Sequence, residues 1–332
     1  MSLPETYKAV SATENGEAII LEVPLKKPTT DQVLVKVEYA PINPTDLAKI
    51  QGFFGKNNDY TKSFNGAEGS EGSGIVVAVG ENLKNPFKVG DRVHVNRGSW
   101  GQYLLANSQD ISHILQEDLS LENAASHWIN PATVYHMGCV AEKGGHKAAI
   151  HTAGSSALGR MLIRYFKHKG IKLINVVRRE EYIEELKKEG ADYVLNSQAA
   201  DFEEKLKEIA EKENATIAFD AIGGDFLNKV LKAQPAGSLC LSYGALSGED
   251  VKNVSIMELF KGKTVGGLAM WDLVAEFTKK GEFQKLTDEV HSLLPNVFSS
   301  HVQRVFKLDD LKEAIEFYQA NSSKGKILLK FH

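Results

Sequence analysis

Cysteine is scarce in this chain: 2 in 332 residues, Cys139 and Cys240, far apart and in apolar contexts. Such a pair supports neither a disulfide framework nor a four-cysteine zinc lobe, and reads as two buried thiols in a reducing compartment. Long apolar runs are missing as well, so no segment approaches the length of a membrane span. No single sign of charge prevails. The 39 basic and 43 acidic residues are interspersed and leave a net charge of -4, which excludes the basic stripe of a nucleic-acid binder. The chain starts almost directly with strand-like "TYKAVSA", without a basic-then-apolar signal segment or an arginine-rich presequence. The expected location is cytoplasmic, with the mitochondrial matrix as the alternative if a presequence was removed. Internal repeats and low-complexity tracts are absent too.

What is present is a globular composition, 42% hydrophobic and 25% charged, on a chain long enough for two domains. The first part is rich in short Val, Ile and Leu runs, among them "QVLVKVEYAPI", "GIVVAVG" and "DRVHVN", punctuated by Gly, Pro and Asn. That pattern predicts a compact, barrel-like β domain. Near Leu121 the texture changes to the helical period of "ENAASHWINPATVYHMGCVAEKGG". Strand and helix then alternate with short connections, which predicts a parallel sheet covered by helices on both faces. A long helical stretch, "WDLVAEFTKKGEFQKLTDEVHSLL", follows Gly267, and the strand-like "GKILLKFH" at the end is expected to return to the first domain. The fold class is α/β.

Within the alternating part, "AAIHTAGSSALGRMLIRYF" reads as a buried strand, a small-residue turn and an amphipathic helix from about Ala157 to Lys169. In a G-x-G-x-x-G frame the positions are Gly154, Ser156 and Gly159, so a serine replaces the middle glycine. Ser156 and Ala157 are small enough for a phosphate to reach the helix amides, and Ser155 and Ser156 offer hydroxyl donors. The bland alternative is a tight strand-to-helix turn with no ligand. At the end of the next strand, "INVVRREE" puts Arg178 and Arg179 where an NAD-binding unit carries an acid. Guanidinium groups there suit a 2′-phosphate. Glu180 and Glu181 argue for NAD, but read better as first-turn helix acids. NADPH is the expected cofactor.

Together with these motifs, "APINPTDLAKIQGFFG", "GSEGSGIVVAVG", "VGDRVHV", "INPATVYHM", "FDAIGG" and "SSKGKILLK" come in the order of medium-chain dehydrogenase/reductases. Over essentially the whole chain the sequence resembles their zinc-free quinone oxidoreductase branch and its 2-enoyl thioester reductase relatives. The resemblance implies a discontinuous GroES-like β-barrel domain, residues 1–125 and 271–332, around a Rossmann doubly wound domain, residues 126–270. The nicotinamide is then expected in the cleft between them, and a homodimer through Rossmann edge strands near "KTVGGLAMW". Zinc-dependent members have a cysteine where this chain has "INPTD" and a His-Glu pair where it has Ser70 and Glu71, so no metal site is expected.

Carried over residue by residue, the resemblance implies Asn43 as the cleft asparagine near the nicotinamide, and Asn130 and Thr133 lining the cofactor. Ser155, Ser156, Ala157 and Leu158 are implied at the pyrophosphate, and Arg178 and Arg179 at the adenosine phosphate. Tyr243 and Gly244 are implied beside the cofactor, Met270 behind the nicotinamide and Lys326 at the active-site rim. Each has a plainer reading: Asn43 as a turn residue before Pro44, Thr133 and Tyr135 as helix packing, Tyr243 as a strand-end aromatic, Lys326 as a solvated lysine. Enoyl thioester reductases of this type carry a tyrosine proton donor where this chain has Phe54; Tyr60 is a substitute from the loop that follows. With Asn43, Tyr60 and Thr133 as the catalytic set, the expected activity is zinc-independent, NADPH-dependent reduction of a quinone or related conjugated carbonyl compound, because hydroquinone oxygens are acidic enough to be protonated by solvent. The alternatives are a 2-enoyl thioester reductase and a non-catalytic NADPH-binding sensor or structural subunit.

Overall fold

The computed structural model describes residues 3–53, 67–114, 116–294 and 296–332. The chain divides into two compact units, Met1–Ile129 with Ser300–His332, and Asn130–Ser299. In the first unit, β1 (Thr6–Ala12) and β2 (Ala18–Pro24) form an antiparallel ribbon. Then come β3 (Gln32–Pro41), α1 (Pro44–Ile50), β4 (Gly72–Val79), β5 (Arg92–Val95), β6 (Tyr103–Asn107), β7 (Ile111–His113) and α2 (Leu121–Ala124). The second unit holds α3 (Ile129–Lys143), β8 (Ala148–His151), α4 (Ala157–Lys169), β9 (Lys172–Val177), α5 (Glu181–Lys188), β10 (Tyr193–Asn196) and α6 (Phe202–Lys212). It continues through β11 (Ile217–Asp220), α7 (Phe226–Ala233), β12 (Leu239–Ser242), α8 (Ile256–Phe260), β13 (Thr264–Gly267), α9 (Met270–Lys279) and α10 (Phe283–Ser292). The chain ends in the first unit with β14 (Val302–Lys307), α11 (Leu311–Asn321) and β15 (Lys326–Lys330).

β3 organises the first unit. Its alternating apolar residues Val33, Val35 and Val37 are buried with Val93, Val95, Trp100, Leu104, Ile327 and Leu329 in one core. It pairs antiparallel with β4, β6 and β15, the last through Leu328 opposite Pro41 and Leu329 opposite Ala40. That last pairing is the expected return of the tail, and it sets the start of β15 beside the start of α1, where the Ile42 amide donates to the Ile327 carbonyl at 2.9 Å.

Among the described residues, the second unit has a parallel sheet in the order β10-β9-β8-β11-β12-β13. β8 is the first of these strands in sequence, so the winding reverses between β8 and β11, the point where open α/β sheets bind ligands at their carboxyl ends. α4 spans Ala157–Lys169 as its amphipathic period predicts. The expected long helical stretch is two helices, because Gly281, at φ 70 degrees, ends one and lets the chain turn into the next. The boundary also differs from the expected break at residue 270. α9 and α10 keep Leu273, Leu286 and Val290 buried within the second unit, and the return to the first comes at Ser300. The end of the last parallel strand marks where the sheet stops, not where the unit stops. No described helix is long and apolar enough to cross a membrane.

Candidate active site

Two groups of side chains stand out, one in each unit. In the first, Asn43 caps α1, with Pro44 in its first turn. The Asn43 backbone amide donates to Asp46 Oδ2 at 2.8 Å, the third-residue arm of a capping box. The Asn43 side chain does more than form a turn. Its Nδ2 donates to Glu71 Oε1 at 2.9 Å, and its Oδ1 accepts from Lys326 Nζ at 2.5 Å. Glu71 Oε2 accepts the backbone amides of Trp128 and Ile129 at 2.7 and 2.9 Å. Ser70, at the position of a zinc-ligating histidine in other sequences, donates its hydroxyl to Asp46 Oδ1 at 2.5 Å.

This group is dry. Glu71 is 0% exposed, Asn43 and Asp46 1%, and Lys326 5%. Burial pushes the Asp46 carboxyl up from 3.8 to about 6, against the lowering effect of its bonds from Ser70 and the Asn43 amide. Burial likewise lowers the Lys326 ammonium, against the attraction of Glu71 and Asp46. Lys326 is therefore not a solvated lysine. Its ammonium is held by Asn43 and lies 3.7 Å from Glu71. Among the described residues no three His, Cys, Asp or Glu side chains are grouped to hold a metal ion.

In the second unit the turn after β8 is tight. Ala153 has φ 59 degrees, and the Gly154 amide donates to the Val176 carbonyl at 2.9 Å. A Cβ on Gly159 would stand 2.4 Å from the Gly154 carbonyl oxygen, so that position has to stay glycine. Ser156, in place of the middle glycine, is the helix N-cap, its Oγ accepting from the Gly159 amide at 3.0 Å. The amides of Ser155, Ala157 and Leu158 have no hydrogen-bond acceptor among the described residues. Donors at the start of a 13-residue helix fit a diphosphate, and Gly159 lets the helix pack closely on the turn before it. Arg178 and Arg179 are exposed just past β9. Arg179 lies 3.5 Å from Glu181, which with Glu180 starts α5 as expected, whereas Arg178 has no ion-pair partner among the described residues.

The remaining predicted residues scatter through the same unit. Asn130 and Thr133 are in the first two turns of α3, Thr133 buried, and the Tyr135 hydroxyl is engaged by Glu289. Met270 starts α9 and is buried. Tyr243 and Gly244 follow β12, and the Tyr243 hydroxyl meets His151 Nε2 at 2.7 Å with the rings stacked. His151 was not among the expected site residues. It ends β8 fully buried, and desolvation lowers its imidazole to about 3, so it is neutral. Its signal in the sequence is a polar residue closing an otherwise apolar strand. Glu71 and Asp46 were also missed as members of the Asn43 group. Phe54 and Tyr60 lie outside the described residues.

Residues 29–148 match the alcohol dehydrogenase GroES-like domain, and residues 157–292 match the zinc-binding dehydrogenase domain. The mitochondrial enoyl-[acyl-carrier-protein] reductase of Caenorhabditis elegans is 33% identical over 253 residues, 74% of this chain and 70% of that protein. The chain belongs to the medium-chain dehydrogenase/reductase superfamily. A Saccharomyces cerevisiae member, also a mitochondrial enoyl-[acyl-carrier-protein] reductase, is 28% identical over 286 residues, 79% of this chain and 73% of its own length. Among solved structures, a Mesorhizobium loti protein provisionally named an NADPH:quinone reductase is 28% identical with a TM-score of 0.84, and the match covers 100% of both chains. The superfamily accounts for the pairing of a GroES-like and a Rossmann-like fold and sets the reaction class as oxidoreductase.

Proposed function

We propose that the chain is an NADPH-dependent reductase of 2-enoyl thioesters. The observation that carries the substrate class is the 33% identity to an enoyl-[acyl-carrier-protein] reductase over 74% of the chain. This reverses the order expected from the sequence, where Phe54 in place of a tyrosine put quinones first. The cofactor reading is supported by the unengaged amides of Ser155, Ala157 and Leu158, which would bind the pyrophosphate, and by Arg178, which would hold a 2′-phosphate through charge-assisted bonds. Bound NADPH supplies a hydride; the protein's part is to orient the cofactor, exclude water and offer donors to the oxygen on which charge develops. Among the buried groups, Asn43 is best suited to that last task. The proposed setting is an aqueous compartment, with the mitochondrial matrix favoured over the cytoplasm by the mitochondrial relatives.

Quinone reduction is the second reading, favoured by Phe54 and by the full-length likeness to the Mesorhizobium loti protein. Steady-state NADPH oxidation with crotonyl-CoA and with benzoquinone separates the two. Turnover of the thioester is the expected result, and turnover of the quinone alone would restore the earlier order. Binding of NADPH with no turnover by any acceptor would instead support a sensor or structural subunit.

A further inference from the structure

The Asn43 amide sits between two groups that leave it no choice of orientation. A carboxylate can only accept and an ammonium can only donate, so Nδ2 has to face Glu71, at 2.9 Å, and Oδ1 has to face Lys326, at 2.5 Å. Turning the amide over would set N–H against ammonium and oxygen against carboxylate, in a site where all three side chains are at most 5% exposed.

The clamp is itself fixed. Glu71 cannot swing, because its other oxygen holds the Trp128 and Ile129 amides. Lys326 has its backbone amide tied to the His301 carbonyl at 2.8 Å as β15 begins, and its buried ammonium is held by Asn43 and lies 3.7 Å from Glu71. The Asn43 backbone is tied to Asp46, and Asp46 to Ser70. With Oδ1 and one N–H taken, the second Nδ2–H of Asn43 has no acceptor among the described residues. A helix cap does not need a buried acid and a buried lysine around it, and a well-packed apolar trio would be no less stable.

We propose that Glu71 and Lys326 are positioning residues that lock the Asn43 amide so that it offers a ligand an N–H and never its oxygen. The ligand atom it selects is a hydrogen-bond acceptor, which in the reductase reading is a carbonyl oxygen. Naming that oxygen as the carbonyl of a thioester substrate or the carboxamide of a nicotinamide rests on the reductase reading; the lock does not.

The test is made on the full chain labelled with 15N-asparagine, without cofactor, with the Asn43 side-chain amide resonances assigned by their loss in Asn43→Ser. In Glu71→Gln the new side-chain oxygen is claimed by the Trp128 and Ile129 amides, so its NH2 faces the Asn43 NH2, and Asn43 Nδ2 loses its acceptor while Lys326 alone still holds Oδ1. The expected result is a shifted Asn43 resonance pair with hydrogen exchange about tenfold faster, as loss of one net hydrogen bond gives. Lys326→Met is expected to do the same, and Lys326→Arg, which keeps a donor, to preserve the wild-type pair. In turnover, Glu71→Gln is expected to lower kcat about tenfold or more with KM for NADPH within about twofold. Unchanged Asn43 resonances in folded Glu71→Gln would overturn the lock, and if Lys326→Met fails to fold, that spectrum decides alone. Adding NADP+ or crotonyl-CoA singly to the wild type tells which carbonyl is met, by which one moves the Asn43 signal; no movement with either overturns the ligand half of the proposal. Absence of turnover with every acceptor would sink the reductase reading and leave the apo spectra to judge the lock.

Discussion

In the proposed function, Arg178 would carry the cofactor preference on one side chain. It stands exposed past β9 without an ion-pair partner among the described residues, while Arg179 is drawn toward Glu181 at 3.5 Å. A phosphate on the adenosine ribose would give Arg178 a charge-assisted partner that NADH lacks. Arg178→Ala is expected to raise KM for NADPH about tenfold or more and to leave KM for NADH within about twofold, measured in steady state. Equal effects on both would remove the basis for NADPH. Asp46 makes a different residue-scale prediction. Its carboxyl is held near 6 in the fold against 3.8 ordinarily, so between about pH 4 and pH 6 the unfolded chain has released a proton that the folded chain keeps. Folded stability from this group is full below that window and falls as pH rises through it, by about 3 kcal/mol at 1.36 kcal/mol per pH unit. Urea unfolding of wild type and Asp46→Asn at pH 4, 5 and 7 measures it. The wild type should lose ground to the variant across the series and then level off, and a constant difference would show that Asp46 titrates normally.

At the scale of single elements, the start of α4 shows what a serine does in the middle of a glycine frame. A serine in the middle of the glycine frame looks like a defect until its side chain is seen capping the helix at Gly159. The last position tolerates nothing larger, since a Cβ there would meet the Gly154 carbonyl. Ser156→Ala is expected to lower stability by about 1 kcal/mol and Ser156→Gly by only a few tenths, read from urea midpoints. Equal losses would mean the hydroxyl is not the cap. This turn was legible in the sequence because strand, turn and helix are local patterns. For the Asn43 group, the resemblance named Asn43 and Lys326 but not that they meet, nor the part of Glu71 and Asp46. Lys326 sits in a glycine- and serine-flanked stretch that resembles any solvated surface segment, and only the pairing of β15 with β3 brings it to Asn43. Its burial is a tertiary fact with no local signature. His151 lay between these cases: a polar residue closing an apolar strand was visible, but its partner Tyr243 was not.

For the whole molecule, alternation of strand and helix told the fold class, while the break at Ser300 was hidden because α9 and α10 are amphipathic helices like those before them. Assembly is where sequence and structure meet on a surface. β13 ends the parallel sheet, so its outer edge has no strand partner among the described residues. Just before it, α8 exposes Ile256 at 58%, Met257 at 60% and Phe260 at 76%. An open strand edge beside apolar side chains is a surface that proteins normally cover. We propose that a second copy covers it, β13 to β13 across a two-fold axis, with the α8 side chains packing around the joint. Phe260→Glu would put a charge into that contact in both subunits at once. Sedimentation equilibrium is expected to give a dimer for the wild type and a monomer, or a dimer weakened about a hundredfold, for the variant, as burying a lone charge at each of two sites requires. The variant's far-UV spectrum should be unchanged, because Phe260 is largely exposed within the single chain. A wild type that sediments as a monomer at micromolar concentration, or a variant that dimerises equally well, would rule this edge out as the joint.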